Sequence, residues 1–143
     1  MPSFVDYLLL SDAYFFLNQA KGLSDTPAAQ LAKQRHVRAC VLFCWQSLEY
    51  IVKDVLKSVP KTSVPNKFSD RLSLALTIRG HRITFDSTAY KKFYGMRNDL
   101  VHVNSGAKQI TLLDATELFT YCKDLHVALT PKGYTLQLST HHF

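Results

Sequence analysis

The chain lacks the signals of secretion and of membrane insertion. No run of about 18 consecutive apolar residues occurs, and the apolar N-terminal segment SFVDYLLLSDAYFFLNQ is interrupted by Asp6 and Asp12. This segment is therefore predicted to be neither a signal peptide nor a membrane span. The three cysteines form no C-x-x-C pair and are odd in number, which argues against a disulfide framework. We expect a cytoplasmic protein that makes no contact with membranes.

Several catalytic signatures are also missing. The five glycines form no phosphate-cradling loop, and no Ser-His-Asp arrangement occurs, so glycine-loop nucleotide hydrolases and serine hydrolases are excluded. Histidines and cysteines recur at steps of four residues in two places, His36, Cys40, Cys44 and then Cys122, His126. A zinc site across two helices would use such steps, but buried thiols explain them better, because no close-spaced zinc motif is present. We expect neither a metal nor another cofactor.

Negative charge is scarce in this chain. Asp and Glu number 11 against 17 Lys and Arg, and the sequence pI is about 9.3. A basic chain favours an anionic partner such as RNA, although charge alone does not select nucleic acid. Because the basic residues are scattered in small groups, the sequence predicts a broad positive field more than a dedicated groove.

Helical periodicity accounts for most of the 143 residues, which suffice for one domain, 1–143. Thr26 and Pro27 predict the start of a helix of about 30 residues that ends before Pro60. Other helices are predicted before Gly22, over 68–79, over 86–104, and from a cap at Asp114 to Pro131. The expected fold is all-α, an antiparallel bundle of four to five helices with a short extended C-terminal tail. The tail either crosses the bundle or pairs with another chain.

The predicted helices should each bury one apolar face. For the first helix that face comprises Val5, Leu8, Leu9, Asp12, Phe15, Phe16 and Gln19. For the long second helix it comprises Leu31, Val37, Val41, Cys44, Leu48, Ile51, Val55 and Val59. In the last helix it comprises Leu118, Cys122, Leu125 and Leu129.

The segment 86–104, DSTAYKKFYGMRNDLVHVN, carries the most informative pattern. Its apolar stripe consists of Phe93, Met96, Leu100 and Val103, following an N-cap at Asp86. Arg97 lies at the margin of this stripe, and Asn98 and His102 share a face well away from it. A solvated helix face can carry such residues with no site at all, and that alternative stays open.

These three polar residues have the chemistry needed to cleave a phosphodiester. Arg97 can grip a phosphate through two donors and stabilise the charge that develops in phosphoryl transfer. His102 can act as acid and base near neutrality, since an unperturbed histidine has a pKa of about 6.5. Asn98 can orient the imidazole or contact a substrate oxygen. On a straight helix Arg97 and His102 lie about 140° apart, so a joint site requires a bent helix end or a second subunit.

The segment MRNDLVH resembles the HEPN superfamily, whose motif is an arginine, usually a following polar residue, and a histidine four to six positions on. Here these positions are Arg97, Asn98 and His102. CWQSLEYIVKDVL, with Glu49 and Lys53 four residues apart, is similar to the long second helix of such domains. The resemblance implies a bundle of four or five helices. It also implies a dimer in which two copies of the motif meet.

The function implied by this resemblance is a metal-independent endoribonuclease, in the manner of a toxin or a defence RNase. Attack by the RNA 2′-hydroxyl would leave a 2′,3′-cyclic phosphate and a 5′-hydroxyl. The alternative is a non-catalytic module that binds RNA, a nucleotide or a protein. The family also contains toxins that are paired with a nucleotidyltransferase antitoxin, which modifies a tyrosine two residues after the motif histidine. Asn104 stands there in this chain, so a toxin role would need either an antitoxin or regulatory partner that acts differently, or none.

Two further expectations concern the second face of the 86–104 helix and its surroundings. Tyr94, Gly95 and Val101 would form a homodimer contact, because apolar residues and a mid-helix glycine are otherwise costly there. Substrate contacts are predicted for Tyr94, Lys91, Arg82 and His81. For the last two, a plain surface role is the favoured alternative.

Overall fold

The fold is all-α, as the periodicity predicted. A computed structural model describes residues 3–5, 7–80, 83–101 and 110–138. Over these ranges five α-helices follow one another: α1 (Leu8–Lys21), α2 (Pro27–Val55), α3 (Phe68–Ile78), α4 (Ser87–Val101) and α5 (Leu112–Leu129). Two short 3-10 helices, Leu56–Ser58 and Lys61–Ser63, connect α2 to α3. Within the described ranges, no helix combines the length and the apolarity needed to cross a membrane.

Helix α2 is the axis of the bundle, with α1 and α5 packed along it. The Thr26 hydroxyl accepts a hydrogen bond from the Ala29 amide at 3.3 Å, and Pro27 is the first helical residue. This confirms the predicted start. The helix ends at Val55, before the predicted end, because the chain tightens into a 3-10 helix. Its predicted core residues from Val37 to Val55 are buried, whereas Leu31 is 63% exposed and was wrongly placed in the core.

The buried face of α1 differs from the prediction. Leu10, Ala13, Leu17 and Ala20 are fully buried, at steps of three, four and three residues. Leu8, by contrast, is 70% exposed, and Val5 belongs to a strand. The larger apolar residues of α1 are distributed around the helix, so their pattern alone does not identify the buried face. Small residues on one side let α1 approach α2 closely, and they decide which side is buried.

Helix α5 begins one turn before the predicted cap. Thr111 is the N-cap, and its hydroxyl accepts from the Asp114 amide at 3.1 Å. The Asp114 carboxylate in turn accepts from the Thr111 amide at 3.0 Å, which completes a capping box. Asp114 therefore stabilises the helix start from the third helical position. The predicted apolar stripe of α5 is buried.

The C-terminal tail pairs with the chain's own N-terminal segment. Gly133 adopts a positive φ of 90°, a conformation that glycine tolerates without steric cost. The turn leads into β2 (Tyr134–Leu136), which runs parallel to β1 (Ser3–Val5). An extended tail was predicted, either crossing the bundle or pairing with another chain. In the structure it pairs with β1 of its own chain.

Helix α4 carries Arg97 and Asn98, the first two residues of the R-N-x-x-x-H segment. The Asp86 carboxylate accepts from the amides of Thr88 at 3.0 Å and Ala89 at 3.2 Å, which confirms the predicted N-cap. Phe93 is buried, and Met96 packs half-buried against the core. The predicted stripe residue Val103 and the predicted helix end lie outside the described residues.

Candidate functional site

A groove of about 820 Å³ lies where the C-terminal half of α2, the two 3-10 helices, α3 and α4 meet. This volume falls within the roughly 300–1,000 Å³ typical of ligand sites. Its cationic lining residues are Lys53, Lys57, Lys61, Arg71 and Arg97, and its acidic lining residue is Glu49. Its apolar walls include Val52, Leu56, Val59, Val64, Pro65 and Phe68.

The positive charge of this groove differs from the broad field that the sequence predicted. Its five cationic side chains come from separate segments: the end of α2, the 3-10 helices Leu56–Ser58 and Lys61–Ser63, α3 and α4. Only packing brings them together, so no single basic run reveals them. A mostly cationic groove with one carboxylate attracts anionic ligands.

Beneath the groove lies a stack of three aromatic rings. The Phe68 ring centroid is 6.3 Å from that of Tyr90, which is 5.3 Å from that of Tyr94, with interplanar angles of 29° and 15°. The buried Trp45 indole stands nearly perpendicular to the stack, with its centroid 5.6 Å from that of Tyr94. Burial raises the pKa of Tyr90 to about 12, so this hydroxyl stays protonated. The stack links α3 to α4 and gives the groove a firm base.

Each end of the aromatic stack carries an arginine. The Arg71 guanidinium carbon lies 5.7 Å from the Phe68 ring centroid, and that of Arg97 lies 5.5 Å from the Tyr94 centroid. Both distances are those of cation–π contacts. In each pair the arginine follows the aromatic residue by three positions, which places both on one side of a helix turn. The two guanidinium groups thus sit on a shared aromatic support.

Arg97 has a second partner on α2. Its Nε lies 3.6 Å from Oε1 of Glu49, an ion-pair distance longer than a hydrogen bond. Arg97 therefore has the Tyr94 ring and the Glu49 carboxylate as neighbours, and its side chain, 29% exposed, lines the groove. Lys57 is also paired, with Asp54 at 3.1 Å. That hydrogen-bonded carboxylate raises the pKa of Lys57 and keeps it charged.

The structure brings one of the three predicted catalytic residues into this groove. Arg97 lines it, beside Glu49 and Lys53, the two residues of α2 that the sequence had singled out. Asn98 is half-buried and is not among the lining residues. His102 lies outside the described residues.

Of the four predicted substrate-binding residues, the structure likewise places one in the groove. Tyr94 lines the groove, and its ring packs half-buried on Trp45 and Tyr90 of its own chain. Lys91 is exposed on α4 and is not among the lining residues. His81 and Arg82 lie outside the described residues.

Four residues of the site were not predicted from the sequence: Trp45, Tyr90, Lys61 and Arg71. The sequence does carry a signal for both aromatic–arginine contacts. The segments FSDR and YGMR both place an arginine three residues after an aromatic residue within a predicted helix. The Lys61–Ser63 3-10 helix borders the groove because of tertiary packing, so no local sequence pattern predicts its position.

The histidine and cysteine steps that suggested a zinc site serve the core. His126 is fully buried, with Nδ1 2.6 Å from the Cys122 carbonyl oxygen and Nε2 2.7 Å from the Ser47 hydroxyl. Because a carbonyl only accepts, Nδ1 donates to it, and Nε2 accepts from the Ser47 hydroxyl. Burial lowers the pKa of His126 to about 4, so the ring is neutral. The described ranges contain no group of three residues able to hold a metal.

The groove is the candidate functional site, because it combines volume, positive charge and an arginine held in place by two neighbours. Comparisons of the chain with protein-family models, with curated proteins and with solved structures gave no match.

Proposed function

We propose that the protein is a metal-independent endoribonuclease of the HEPN type. The observation that carries the proposal is the setting of Arg97, which lines a cationic groove and is held between the Tyr94 ring and the Glu49 carboxylate. A guanidinium fixed in this way can bind a phosphate without first losing much side-chain freedom. Its proposed task is to stabilise the charge that develops on the phosphorus oxygens.

The proposed reaction is an internal transfer. The RNA 2′-hydroxyl attacks the adjacent phosphorus and loses its proton to the imidazole of one His102. The bond from phosphorus to the 5′-oxygen breaks, and that oxygen takes a proton from a second imidazole. The products are a 2′,3′-cyclic phosphate and a 5′-hydroxyl. Two copies of the 86–104 segment in a homodimer would supply both imidazoles, with Asn98 orienting one of them.

A non-catalytic module that binds RNA, a nucleotide or a protein partner is the second candidate function. The observation that favours it is the ion pair itself, since Glu49 already offsets part of the Arg97 charge. In that case Arg97 would contribute to binding and His102 would have no chemical role. The same groove would be used, so binding alone does not separate the two functions.

Digestion of mixed RNA in EDTA separates them. The endoribonuclease proposal predicts cleavage by the wild-type protein and loss of cleavage in both Arg97→Ala and His102→Ala, with melting behaviour close to wild type. Asn98→Ala should lower the rate less than His102→Ala. Lys123→Ala is the matched control, because Lys123 is exposed on α5 and is not a lining residue of the groove. Cleavage that persists in His102→Ala would reject the proposal.

The proposed setting follows from the same activity. An RNase of this kind in the cytoplasm must be restrained, so an antitoxin or regulatory protein is a fitting partner for a toxin or defence role. Asn104 replaces the tyrosine that the family's nucleotidyltransferase antitoxins modify. The proposed restraint is therefore not modification of a tyrosine at that position.

A further inference from the structure

The groove extends beyond Arg97 to a second set of cations. Lys53, Lys61 and Arg71 also line it, and the ion pairs of the described chain include none at these three residues. Lys57 and Arg97 differ, since each already has a carboxylate partner. The cations of the groove without an ion pair thus come from α2, the Lys61–Ser63 3-10 helix and α3.

Arg71, like Arg97, lies over an aromatic ring, although it has no carboxylate partner among the ion pairs of the described residues. Its guanidinium lies over the Phe68 ring at 5.7 Å, and Phe68 is joined through Tyr90 to the ring beneath Arg97. A guanidinium on a ring keeps its edge free for two hydrogen bonds to phosphate oxygens. The two guanidinium groups therefore lie at opposite ends of one aromatic stack.

The remaining walls suit the nonionic parts of such a chain. Val59, Val64 and Pro65 line the groove beside Lys61. Apolar side chains pack on the faces of sugars and bases, while neighbouring cations follow the phosphates. A small inorganic anion would leave these walls unused, and an apolar ligand would leave the cations unpaired.

We infer that Lys61 and Arg71 form a second phosphate subsite, which binds the RNA phosphates flanking the one that Arg97 contacts. This inference rests on the proposed function for the choice of RNA as ligand. Lys61 and Arg71 are binding residues in this account and take no part in proton transfer. Lys53, on α2, lines the same groove and adds to its positive field.

The test measures binding without cleavage. A short fluorescent single-stranded oligoribonucleotide with 2′-O-methyl groups cannot undergo 2′-hydroxyl attack, so its anisotropy reports affinity on the intact protein. Lys61→Ala and Arg71→Ala should each weaken binding several-fold, roughly equally for different sequences. Each should also reduce the slope of log affinity against log salt by about 0.7, the value for one lost phosphate contact on a single strand.

Two control variants separate the loss of a contact in the groove from the loss of net charge. Lys123→Ala removes the same charge from an exposed position outside the groove and should leave affinity and slope unchanged. Arg71→Lys keeps the charge and should restore most of the salt slope. If Arg71→Ala fails to fold, Lys61→Ala decides, because Lys61 is exposed and the described structure gives it no ion pair.

The outcomes distinguish this inference from the proposed catalysis. Weakened binding in both groove variants supports the subsite even where the wild-type protein cleaves no RNA. If the wild-type protein cleaves RNA but Lys61→Ala and Arg71→Ala each bind the oligonucleotide like wild type, the subsite is overturned and the catalytic proposal stands. Equal weakening by Lys123→Ala also overturns it, because the effect would then be one of net charge.

Discussion

Glu49 on α2 and Arg97 on α4 meet at the groove, with Oε1 of Glu49 3.6 Å from Nε of Arg97. The two residues are 48 positions apart, so their contact depends on the packing of α4 against α2. Both side chains are partly exposed, at 44% and 29%. Exposed pairs of this kind contribute little to stability. Their proximity therefore bears on the orientation and charge of Arg97 more than on folding.

Substitution of Glu49 should separate those two effects. Glu49→Gln keeps a polar acceptor of the same shape and removes the charge, so RNA affinity should rise and KM should fall. Glu49→Ala also removes the acceptor, and kcat should fall because Arg97 loses one of its two supports. Steady-state cleavage kinetics at fixed ionic strength measure both parameters. A fall in kcat of equal size in both variants would contradict the positioning role.

The Tyr94 ring is predicted to matter and its hydroxyl to matter less. Tyr94→Phe keeps the face that carries Arg97 and should retain near wild-type cleavage. Tyr94→Leu removes the stack with Tyr90 and should lower the free energy of unfolding by about 1–2 kcal/mol. Its cleavage rate should fall well below that of Tyr94→Phe under conditions where both are folded. Equal cleavage rates in the two variants would show that the Tyr94 ring does not support the function of Arg97.

Stability should fall in mild acid because of His126. Its folded pKa is about 4, below the ordinary value of 6.5, so the unfolded chain binds more protons between these two values. The free energy of unfolding should therefore be fully retained above about pH 6.5 and decline toward pH 4, by about 3 kcal/mol in total.

Denaturant titration at several pH values measures this decline. The matched control is Ser47→Ala with His126→Leu, which removes the buried hydrogen bond from both sides and can be nearly neutral at pH 7. Carboxylates titrate in both proteins, so the difference between them isolates the histidine. Parallel curves for the two proteins would show that His126 is not the cause.

Gly95 offers a test of the proposed dimer. A Cβ built at this position meets nothing within 4 Å in its own chain, so Gly95→Ala should stabilise the monomer by up to about 1 kcal/mol through helix propensity. If α4 faces a second copy at Gly95, the same change should weaken association. Sedimentation gives the dimer dissociation constant, and melting at low concentration gives the stability. A wild-type protein that stays monomeric at tens of micromolar would reject the dimer.

The sequence predicted the elements well and their relative placement poorly. Thr26 with Pro27 and Asp86 marked helix starts because capping is local chemistry, readable within four residues. The buried face of α1 was wrong because Ala13 and Ala20 carry a weak apolar signal yet decide the close approach to α2. Arg97 was found through its motif. Lys61 and Arg71 were missed because the groove is assembled from distant segments.

Cleavage of one RNA and its fully 2′-O-methylated counterpart, both in EDTA, tests the central proposal most directly. We predict that the wild-type protein cuts only the unmodified RNA and leaves 2′,3′-cyclic phosphate and 5′-hydroxyl ends, and that Arg97→Ala abolishes this activity. Cleavage of the methylated RNA, or activity that requires an added divalent metal, would contradict it.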